Sequence, residues 1–225
     1  LEQEGQIDVI IPNFDAELFN FIRLEDRLAK EHSIKMLLPT LEQFDSRQKA
    51  ILYEFGLKHN IKVPKTKVVY SIPELNAAGF QFGYPLVVKG KFYEAGIAYN
   101  AEQAAALFNK ISAKWGLPII VQEFIYGSEV NVTALGDGKG NTIGAVPMRK
   151  LFITDKGKAW AGITIDDQKL ITMTHDLLKS TLWRGGLELE VMKTVQEEYY
   201  LMEIYPRFPA WVYLAKGAGQ NHPEA

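Results

Sequence analysis

The sequence predicts a mixed α/β (α+β) protein whose chain changes character about half-way along. Up to about residue 125, short apolar strands alternate with segments of helical spacing, which is typical of helices packed on a sheet. Beyond that point strand follows strand, and the glycine-rich turn 136–141 indicates an antiparallel hairpin. A final pair of alternating segments, 186–191 and 200–207, carries carboxylates on both strands. We therefore expect two lobes that divide near residue 126, after a partial α/β domain.

The partial domain is predicted from strand and helix signals that alternate near the start of the chain. The β-branched run 8–11 predicts a strand, 15–30 a helix and 34–38 a buried strand, an order that suggests a parallel sheet. Thr40 is placed to cap a following helix, which we expect to run to about residue 58. The chain enters this unit late, as if a first βα unit preceded it.

The remaining elements follow from the same signals. Ser71 with Pro73 and Glu74 is a strong helix start, because serine caps well and proline favours the first turn. The predicted strands are 67–70, 84–89, 117–125, 129–135, 142–148 and 159–165, and the further predicted helices are 101–114 and 167–184. The predicted divisions are 1–64 for the partial domain, 65–126 for the first lobe and 127–225 for the second lobe.

Composition excludes several classes of protein. The 225 residues carry a net charge of −2, which leaves no electrostatic footprint for nucleic acid. There are no cysteines, which excludes disulfides and thiolate metal sites and is compatible with the cytoplasm that we expect. The four histidines are scattered, and no apolar run is long enough to span a bilayer. We expect no membrane partner.

The closing hairpin carries the first candidate site. Alternation would place Glu190 and Glu203 side by side, with Arg207 just beyond them. Two carboxylates in one site repel each other unless a cation lies between them, and Mg²⁺ commonly bridges carboxylates to substrate phosphates. The pattern thus points to a nucleotide-phosphate site. Spacing alone fits a solvated acidic face better, since structural charge clusters are common.

Basic residues and a glycine turn supply further candidates. Lys89 ends an apolar strand and could neutralise phosphate charge, as could Lys49 on the preceding helix, Lys150 and Lys158, although a lone lysine is most often solvated. The segment 122–129 leads an apolar strand into a turn with a glutamate on each side. Its backbone could meet an adenine edge and Glu129 a ribose, although without further context an ordinary hairpin with exposed glutamates explains the segment better.

These motifs together resemble the ATP-grasp superfamily. The resemblance rests on Lys89 after Tyr-Pro-Leu-Val-Val, on Gln-Glu-Phe-Ile followed by Gly-Ser-Glu at 122–129, and on Glu190 with Glu-Ile-Tyr-Pro-Arg at 203–207. It covers nearly the whole chain, from Asp8 to about Gly219, and is nearest to biotin carboxylase and the large chain of carbamoyl-phosphate synthetase. It implies two ATP-grasp lobes preceded by a partial pre-ATP-grasp domain, with ATP and Mg²⁺ as cofactors and a small carboxylate as the substrate. The resemblance also allows a homodimer.

The resemblance implies a role for each matching position. Lys49 and Lys89 match the lysines that hold the ATP phosphates, and Glu123, Phe124 and Ile125 match the hinge that binds adenine. Glu129 matches the acid that binds the ribose. Glu190 and Glu203 match the acids that bind the metal, and Arg207 matches the residue that contacts the acyl-phosphate. Lys158 matches a further phosphate-contacting residue more loosely. Asp15 and Glu17 would lie toward the acceptor site, although helix capping explains Asp15 equally well.

Two departures from the family pattern bear on activity. Tyr205 stands where the family has asparagine, and a neutral phenol is a poor Mg²⁺ ligand beside an amide oxygen. The loop 90–96 has glycine only at its ends, with Phe92 and Tyr93 between them, so its backbone would approach phosphate less closely.

The sequence therefore leads to three hypotheses. The first is an ATP- and Mg²⁺-dependent ligase that activates a carboxylate as an acyl-phosphate for attack by an amine or a similar nucleophile. The second is a non-catalytic nucleotide-binding module, a sensor or partner subunit, which Tyr205 and the aromatic loop favour. The third is an interaction protein that uses the aromatic segment 207–214, although buried packing explains that segment better.

Overall fold

The structure, a computed structural model, describes residues 7–91, 94–153 and 159–225. Contacts divide the chain into two compact units. Unit 1 comprises Leu1–Arg47, Glu129–Val191 and Glu203–Ala225, and unit 2 comprises Gln48–Ser128 and Met192–Met202. The division into three parts at residues 64 and 126 stays a prediction.

Helices and strands alternate in the first half of the chain, and strands dominate the second. The helices are α1 (Asp15–His32), α2 (Leu41–Ser46), α3 (Leu52–His59), α4 (Ile72–Phe82), α5 (Ala101–Trp115), α6 (Gln168–Thr181) and α7 (Tyr213–Gly217). The strands are β1 (Thr66–Val69), β2 (Leu86–Gly90), β3 (Ala95–Ala98), β4 (Ile119–Glu123), β5 (Ser128–Asp137), β6 (Thr142–Ile153), β7 (Ala159–Thr164), β8 (Arg184–Lys193) and β9 (Tyr199–Tyr205). Among the described residues, none of the helices combines the length and the apolar character that a membrane crossing requires.

Unit 2 is built on a four-stranded sheet of order β1-β4-β2-β3, with every neighbouring pair antiparallel. Its core joins one face of this sheet to α4 and α5, and Leu75, Leu86 and Ile111 are fully buried there. Burial of a side chain of this size contributes about 1.5–3 kcal/mol. The predicted start of α4 is confirmed, because the Ser71 hydroxyl accepts the Glu74 N–H at 3.4 Å.

Unit 1 contains the larger part of a five-stranded sheet of order β7-β6-β5-β8-β9. Helix α6 packs on β6, and Trp183, at the start of β8, is fully buried. Arg184 fixes α1 to this unit, since its two terminal nitrogens donate to the Glu25 carboxylate at 2.7 and 2.6 Å. The same guanidinium donates to the carbonyl oxygens of Leu38 at 3.1 Å and Met36 at 3.3 Å.

The two strands predicted near the N-terminus are reduced to a single parallel bridge between Val9 and Lys35. The Ile10 N–H donates to the Lys35 carbonyl at 3.1 Å, and the Lys35 N–H donates to the Asp8 carbonyl at 2.8 Å. The prediction of full strands is wrong because, among the described residues, no third strand flanks this pair, and an isolated two-stranded ladder is marginal.

The single helix predicted from Thr40 to about residue 58 is also wrong, because it is broken between Ser46 and Leu52. Its start is confirmed by a capping box in which Thr40 and Gln43 exchange hydrogen bonds. The Gln43 amide also donates to two carbonyl groups at the end of α6, at 3.1 and 2.8 Å, and so holds α2 to unit 1. The chain enters unit 2 at Gln48, and the helix therefore ends before that point.

Candidate functional site

One face of the five-stranded sheet in unit 1 carries a row of polar side chains. Asn131 on β5 lies opposite Met148 on β6, so Glu129, two residues earlier, shares a face with Lys150. Contacts from these side chains extend the row across β8 to Glu188 and Glu190. The row therefore brings the carboxylates of Glu129, Glu188 and Glu190 to one face of this sheet.

Glu188 is the buried centre of this row. This residue is only 8% exposed. Its Oε1 accepts a hydrogen bond from the Asn131 side-chain amide at 2.8 Å and another from the Trp211 indole N–H at 2.7 Å. Sequence reasoning selected Glu190 and missed Glu188. The signal was available, because the two glutamates are two residues apart on one strand and therefore face the same side.

Lys150 lies between two members of the row. Its side chain is 8% exposed, its ammonium contacts the Glu129 carboxylate, and it lies 3.9 Å from Glu190 Oε2. A buried lysine requires such partners, because an unpaired charge away from water is costly. The acid proposed for ribose and one of the acids proposed for the metal thus share a single internal cation.

Tyr205 faces the same carboxylates. Its hydroxyl donates to Glu203 Oε2 at 2.8 Å. Burial raises the pKa of the Tyr205 phenol, and the nearby Glu203, Glu190 and Glu188 carboxylates raise this pKa further, so the hydroxyl keeps its proton as a donor. Glu190 and Glu203 therefore both act on one phenol, as expected of acids that lie on the same side of their sheet.

Arg207, the predicted acyl-phosphate residue, is held by an ion pair. Its Nε donates to Asp15 Oδ1 at 2.8 Å, and Arg47 Nη1 lies 3.5 Å from Asp15 Oδ2. The N-cap of α1 is Phe14, with no side-chain capping bond, so capping is the wrong explanation for Asp15. Two guanidinium groups share one carboxylate here, which leaves the cluster with a net positive charge.

The oxygen atoms in the described part of unit 1 suit a divalent cation that is held partly by the protein and partly by a bound ligand. Among the described residues, no three histidine or acidic side chains are grouped closely enough to hold a metal ion by themselves. Mg²⁺ rarely uses such an all-protein cage, and is usually held by one or two carboxylates together with substrate phosphates and water. Beside Glu188, the buried oxygens Asn131 Oδ1 and Thr133 Oγ1 have no hydrogen-bond partner among the described residues. They are oxygen acceptors, the kind of atom that such a cation or its water ligands would contact.

The predicted phosphate and hinge residues of unit 2 lie at the ends of strands. Lys89 is near the end of β2 and alternates with the buried Leu86 and Val88, so it faces away from the helical core. Glu123 ends β4, where its backbone N–H donates to the Lys65 carbonyl at 2.8 Å and its carboxylate accepts the Lys65 N–H at 3.2 Å.

The remaining hinge residues, Phe124 and Ile125, directly follow β4 and are half-buried. The Phe124 ring packs edge-on against Tyr126, with centroids 4.7 Å apart. Gly127 has a steric role, because a Cβ there would lie 2.4 Å from the Lys193 carbonyl oxygen. The glycine that the sequence associates with nucleotide binding is thus also required by local packing.

Of the other two predicted lysines, the structure describes only Lys49. Lys49, predicted on a helix, lies in the turn between α2 and α3, because the helix breaks there. Lys158 lies outside the described residues, as do Phe92 and Tyr93 of the aromatic loop.

Comparison with known proteins identifies the fold. No family model matches the chain. Among solved structures, biotin carboxylase from Campylobacter jejuni, solved as a complex with an ATP analogue, matches with a TM-score of 0.80 and 14% identity over 98% of this chain and 53% of that one. The biotin carboxylase domain of Hydrogenobacter thermophilus 2-oxoglutarate carboxylase, solved with MgADP, ADP and bicarbonate, has a TM-score of 0.73 and 16% identity over 90% of this chain and 49% of that one. N5-carboxyaminoimidazole synthase from Aspergillus clavatus, solved with ADP and 5-aminoimidazole ribonucleotide, has a TM-score of 0.68 and 15% identity over 85% and 52%.

These three structures define a class, the ATP-grasp enzymes. The chain has the ATP-grasp fold, which confirms the predicted mixed α/β fold class. The chain spans about half the length of each of these structures. The predicted partial pre-ATP-grasp domain stays a prediction.

Proposed function

We propose that this chain is the ATP-grasp part of an ATP- and Mg²⁺-dependent ligase that joins a carboxylate to an amine or a similar nucleophile. The observation that carries the proposal is the row of carboxylates on one sheet face of an ATP-grasp fold, with Arg207 at the end of β9. The proposal includes a cytoplasmic location, with ATP and a small carboxylate as partners, and residues 1–64 as part of a pre-ATP-grasp domain.

Unit 1 would supply the metal and acyl-phosphate contacts. Glu190, Glu203 and the additional Glu188 are the candidates to hold Mg²⁺, which when bound neutralises charge on the transferred phosphoryl group. Arg207 is the candidate to bind the anionic acyl-phosphate, because a guanidinium donates to phosphate oxygens in pairs. Glu129, paired with Lys150, is the candidate ribose acceptor.

Unit 2 would supply contacts to the base and the phosphates. The backbone of Glu123, Phe124 and Ile125 is the candidate to meet adenine, and the ammonium groups of Lys89 and Lys49 are the candidates to neutralise the phosphates. Lys158 is retained as a further phosphate-contacting candidate.

The chemistry follows from these groups. A carboxylate oxygen of the substrate attacks the γ-phosphorus of ATP, a new O–P bond forms, and the bond to the leaving oxygen of ADP breaks. The amine nitrogen then attacks the acyl carbon, phosphate leaves with the bonding electron pair, and the nitrogen loses a proton. The positive charge of the Arg207 cluster suits the anionic acyl-phosphate, because it offsets the negative charge on the phosphoryl oxygens and the charge that develops on the carbonyl oxygen when the amine attacks.

Isothermal titration calorimetry with ADP and ATP, with and without Mg²⁺, tests the proposal. We expect nucleotide binding that Mg²⁺ strengthens. Glu203→Ala should remove this strengthening and leave the circular dichroism spectrum unchanged, while the exposed acid Asp176, changed to alanine, serves as the matched control. A folded sample that binds neither nucleotide would exclude the proposal.

A second candidate function has its own observation. By resemblance, Tyr205 stands at the position where the family has a metal-binding asparagine, and its hydroxyl donates a hydrogen bond to one oxygen of Glu203. This contact favours a non-catalytic nucleotide-binding module, because a tethered carboxylate coordinates a cation less readily. If Tyr205→Asn creates ATP consumption that the native chain lacks, the second function is supported; turnover by the native chain excludes it.

A further inference from the structure

A cavity of about 250 Å³ lies within unit 1, where Gly186 on β8 and Leu135 on β5 line it. Gly186 is two residues before Glu188 and Leu135 is four residues after Asn131, so strand alternation places both on the face that carries the row of carboxylates. The Phe208 ring, also in the lining, lies over this face, because a Cβ on Gly186 would come within 2.6 Å of it. The cavity therefore continues the sheet face of the candidate metal acids.

The lining of this cavity is almost wholly apolar. Besides the strand residues, its walls come from Leu18 on α1 and from the segments 9–12 and 37–39. Ile11 and Leu37 are 41% and 42% exposed, so part of this apolar lining is open to solvent. A cavity of about 150 Å³ holds benzene, which gives this one room for about ten non-hydrogen atoms. An apolar ligand of that size would bury surface that the lining now leaves in water.

Arg207 is the only charged side chain among the described residues that line the cavity. His222, also in the lining, is 3% exposed, and burial lowers its pKa, so its ring is neutral at pH 7. Arg207 Nε donates to Asp15 at 2.8 Å and its Nη1 donates to the Phe208 carbonyl at 3.2 Å. A guanidinium has five N–H donors, so three of those of Arg207 have no partner among the described residues.

The charge at this arginine selects the sign of an occupant. Arg47 also pairs with Asp15, so the carboxylate does not cancel the positive charge of the two guanidinium groups. A cluster with excess positive charge and available N–H donors attracts a carboxylate and repels an ammonium. The cavity thus suits an anionic group at Arg207 with an apolar body behind it.

We propose that this cavity binds the substrate carboxylate of the ligase, a monocarboxylic acid with an apolar body, of up to about ten non-hydrogen atoms in all. The inference rests on the proposed function, in which Arg207 binds the acyl-phosphate that forms from this carboxylate. The two roles of Arg207 agree, because the acyl carbon keeps its apolar body when its oxygen takes up the phosphoryl group. The inference narrows the substrate from any small carboxylate and disfavours bicarbonate, which has no apolar body.

Titrations followed by two-dimensional NMR, with three small probes and no nucleotide, test the inference. Hexanoate combines the carboxylate with an apolar body, hexylamine has the same body with a positive charge, and acetate has the carboxylate without the body. We expect hexanoate to bind about tenfold more tightly than either of the others, because it alone can use both the apolar lining and Arg207. Its shifts should centre on the backbone amides of Gly186 and Phe208.

Two variants test the two ends of the ligand separately. Arg207→Gln should bring the affinities for hexanoate and hexylamine within about twofold of each other, and Asp15 keeps Arg47 as its partner in this variant. Leu37→Asn, at an exposed position of the lining, should weaken hexanoate binding about fivefold and leave acetate binding unchanged. The control is Arg27→Gln, which removes an exposed guanidinium from α1 and should change neither.

The outcomes separate this inference from the proposed function. It is overturned if hexylamine or acetate binds as tightly as hexanoate, if no probe binds, or if either variant leaves hexanoate binding unchanged. If MgATP binds while hexanoate does not, the substrate assignment fails and the proposed function stands. If hexanoate binds but no nucleotide does, the proposed function fails, and the assignment of the cavity to the substrate of a ligase fails with it.

Discussion

The two units hold their candidate site residues in different ways. In unit 1 the carboxylates lie across the middle of a sheet face, and internal donors hold them: Asn131 and Trp211 for Glu188, and Tyr205 for Glu203. In unit 2 the candidates Lys89 and Glu123 lie at strand ends, apart from the hydrophobic cluster that α4 and α5 form with the sheet. The candidate site residues of unit 1 are therefore tied into the internal hydrogen bonds of the unit, whereas the candidates of unit 2 lie apart from its core.

The largest expected effect is on Glu188. Glu188→Ala would leave the buried donor Asn131 Nδ2 and the half-buried donor Trp211 Nε1 without this acceptor, and we expect the free energy of unfolding to fall by about 2–4 kcal/mol. Urea-induced unfolding followed by circular dichroism measures this. Glu188→Gln keeps an acceptor oxygen and should lose less, and Asp176→Ala should lose almost nothing. Equal stability of Glu188→Ala and the native chain would remove the distinction between the units.

A smaller effect, on binding alone, is expected for Lys89. Lys89→Met removes one positive charge from a strand end, so nucleotide affinity should fall about tenfold while the free energy of unfolding changes by less than about 0.5 kcal/mol. Lys67→Met, on an exposed position of β1, is the matched control. Calorimetry with MgADP and urea unfolding give the two readouts. A large loss of stability with unchanged affinity would mean that unit 2 follows the pattern of unit 1.

The smallest effect is expected at the surface of unit 2. Hydrogen bonds from Lys110, Trp115 and Lys114 lower the pKa of Glu94 from 4.5 to about 2. Because the folded-state pKa is depressed, the stabilisation is present above the unfolded pKa and is lost as pH falls from about 4.5 to about 2. Glu94→Gln should slightly lower the unfolding temperature at pH 7, and thermal unfolding at several pH values should show the difference from the native chain vanish near pH 2. A difference that stays constant with pH would contradict this origin.

Most of the fold was predictable because local signals agreed with tertiary packing. Ser71 caps α4 and Thr40 caps α2, as the sequence predicts. In β8 and β9, the alternation of polar and apolar residues predicts which side chains share a face of the sheet. The break between α2 and α3 was not predictable, because it lies where the chain passes from unit 1 to unit 2, and the division into units depends on contacts between distant parts of the chain. Local spacing contains no information about such a partner.

The candidate site shows the same limit. Glu190, Glu203 and Arg207 follow from residue type and spacing, but the donors that hold these acids come from other elements of the chain. Nothing in the sequence around Lys150 indicates that its ammonium pairs with Glu129 and Glu190. For Asp15 the sequence leaves a helix cap and the acceptor site equally open, and it gives no sign of the ion pair with Arg207. Side-chain partners across a sheet are set by topology, which residue spacing alone does not provide.

Because Trp211 is hydrogen-bonded to Glu188, the fluorescence of Trp211 can report ligand binding at this carboxylate. Indole emission changes with the charge and solvation of a group bonded to its N–H, so a ligand that engages Glu188 would alter the fluorescence of Trp211 without any added label. Of the other three tryptophans, Trp183 is fully sequestered and would contribute a constant background, whereas Trp115 and Trp160 are exposed and would be replaced by phenylalanine so that the signal comes from Trp211. Occupancy at this carboxylate can therefore be followed in real time, at protein concentrations far below those that calorimetry needs.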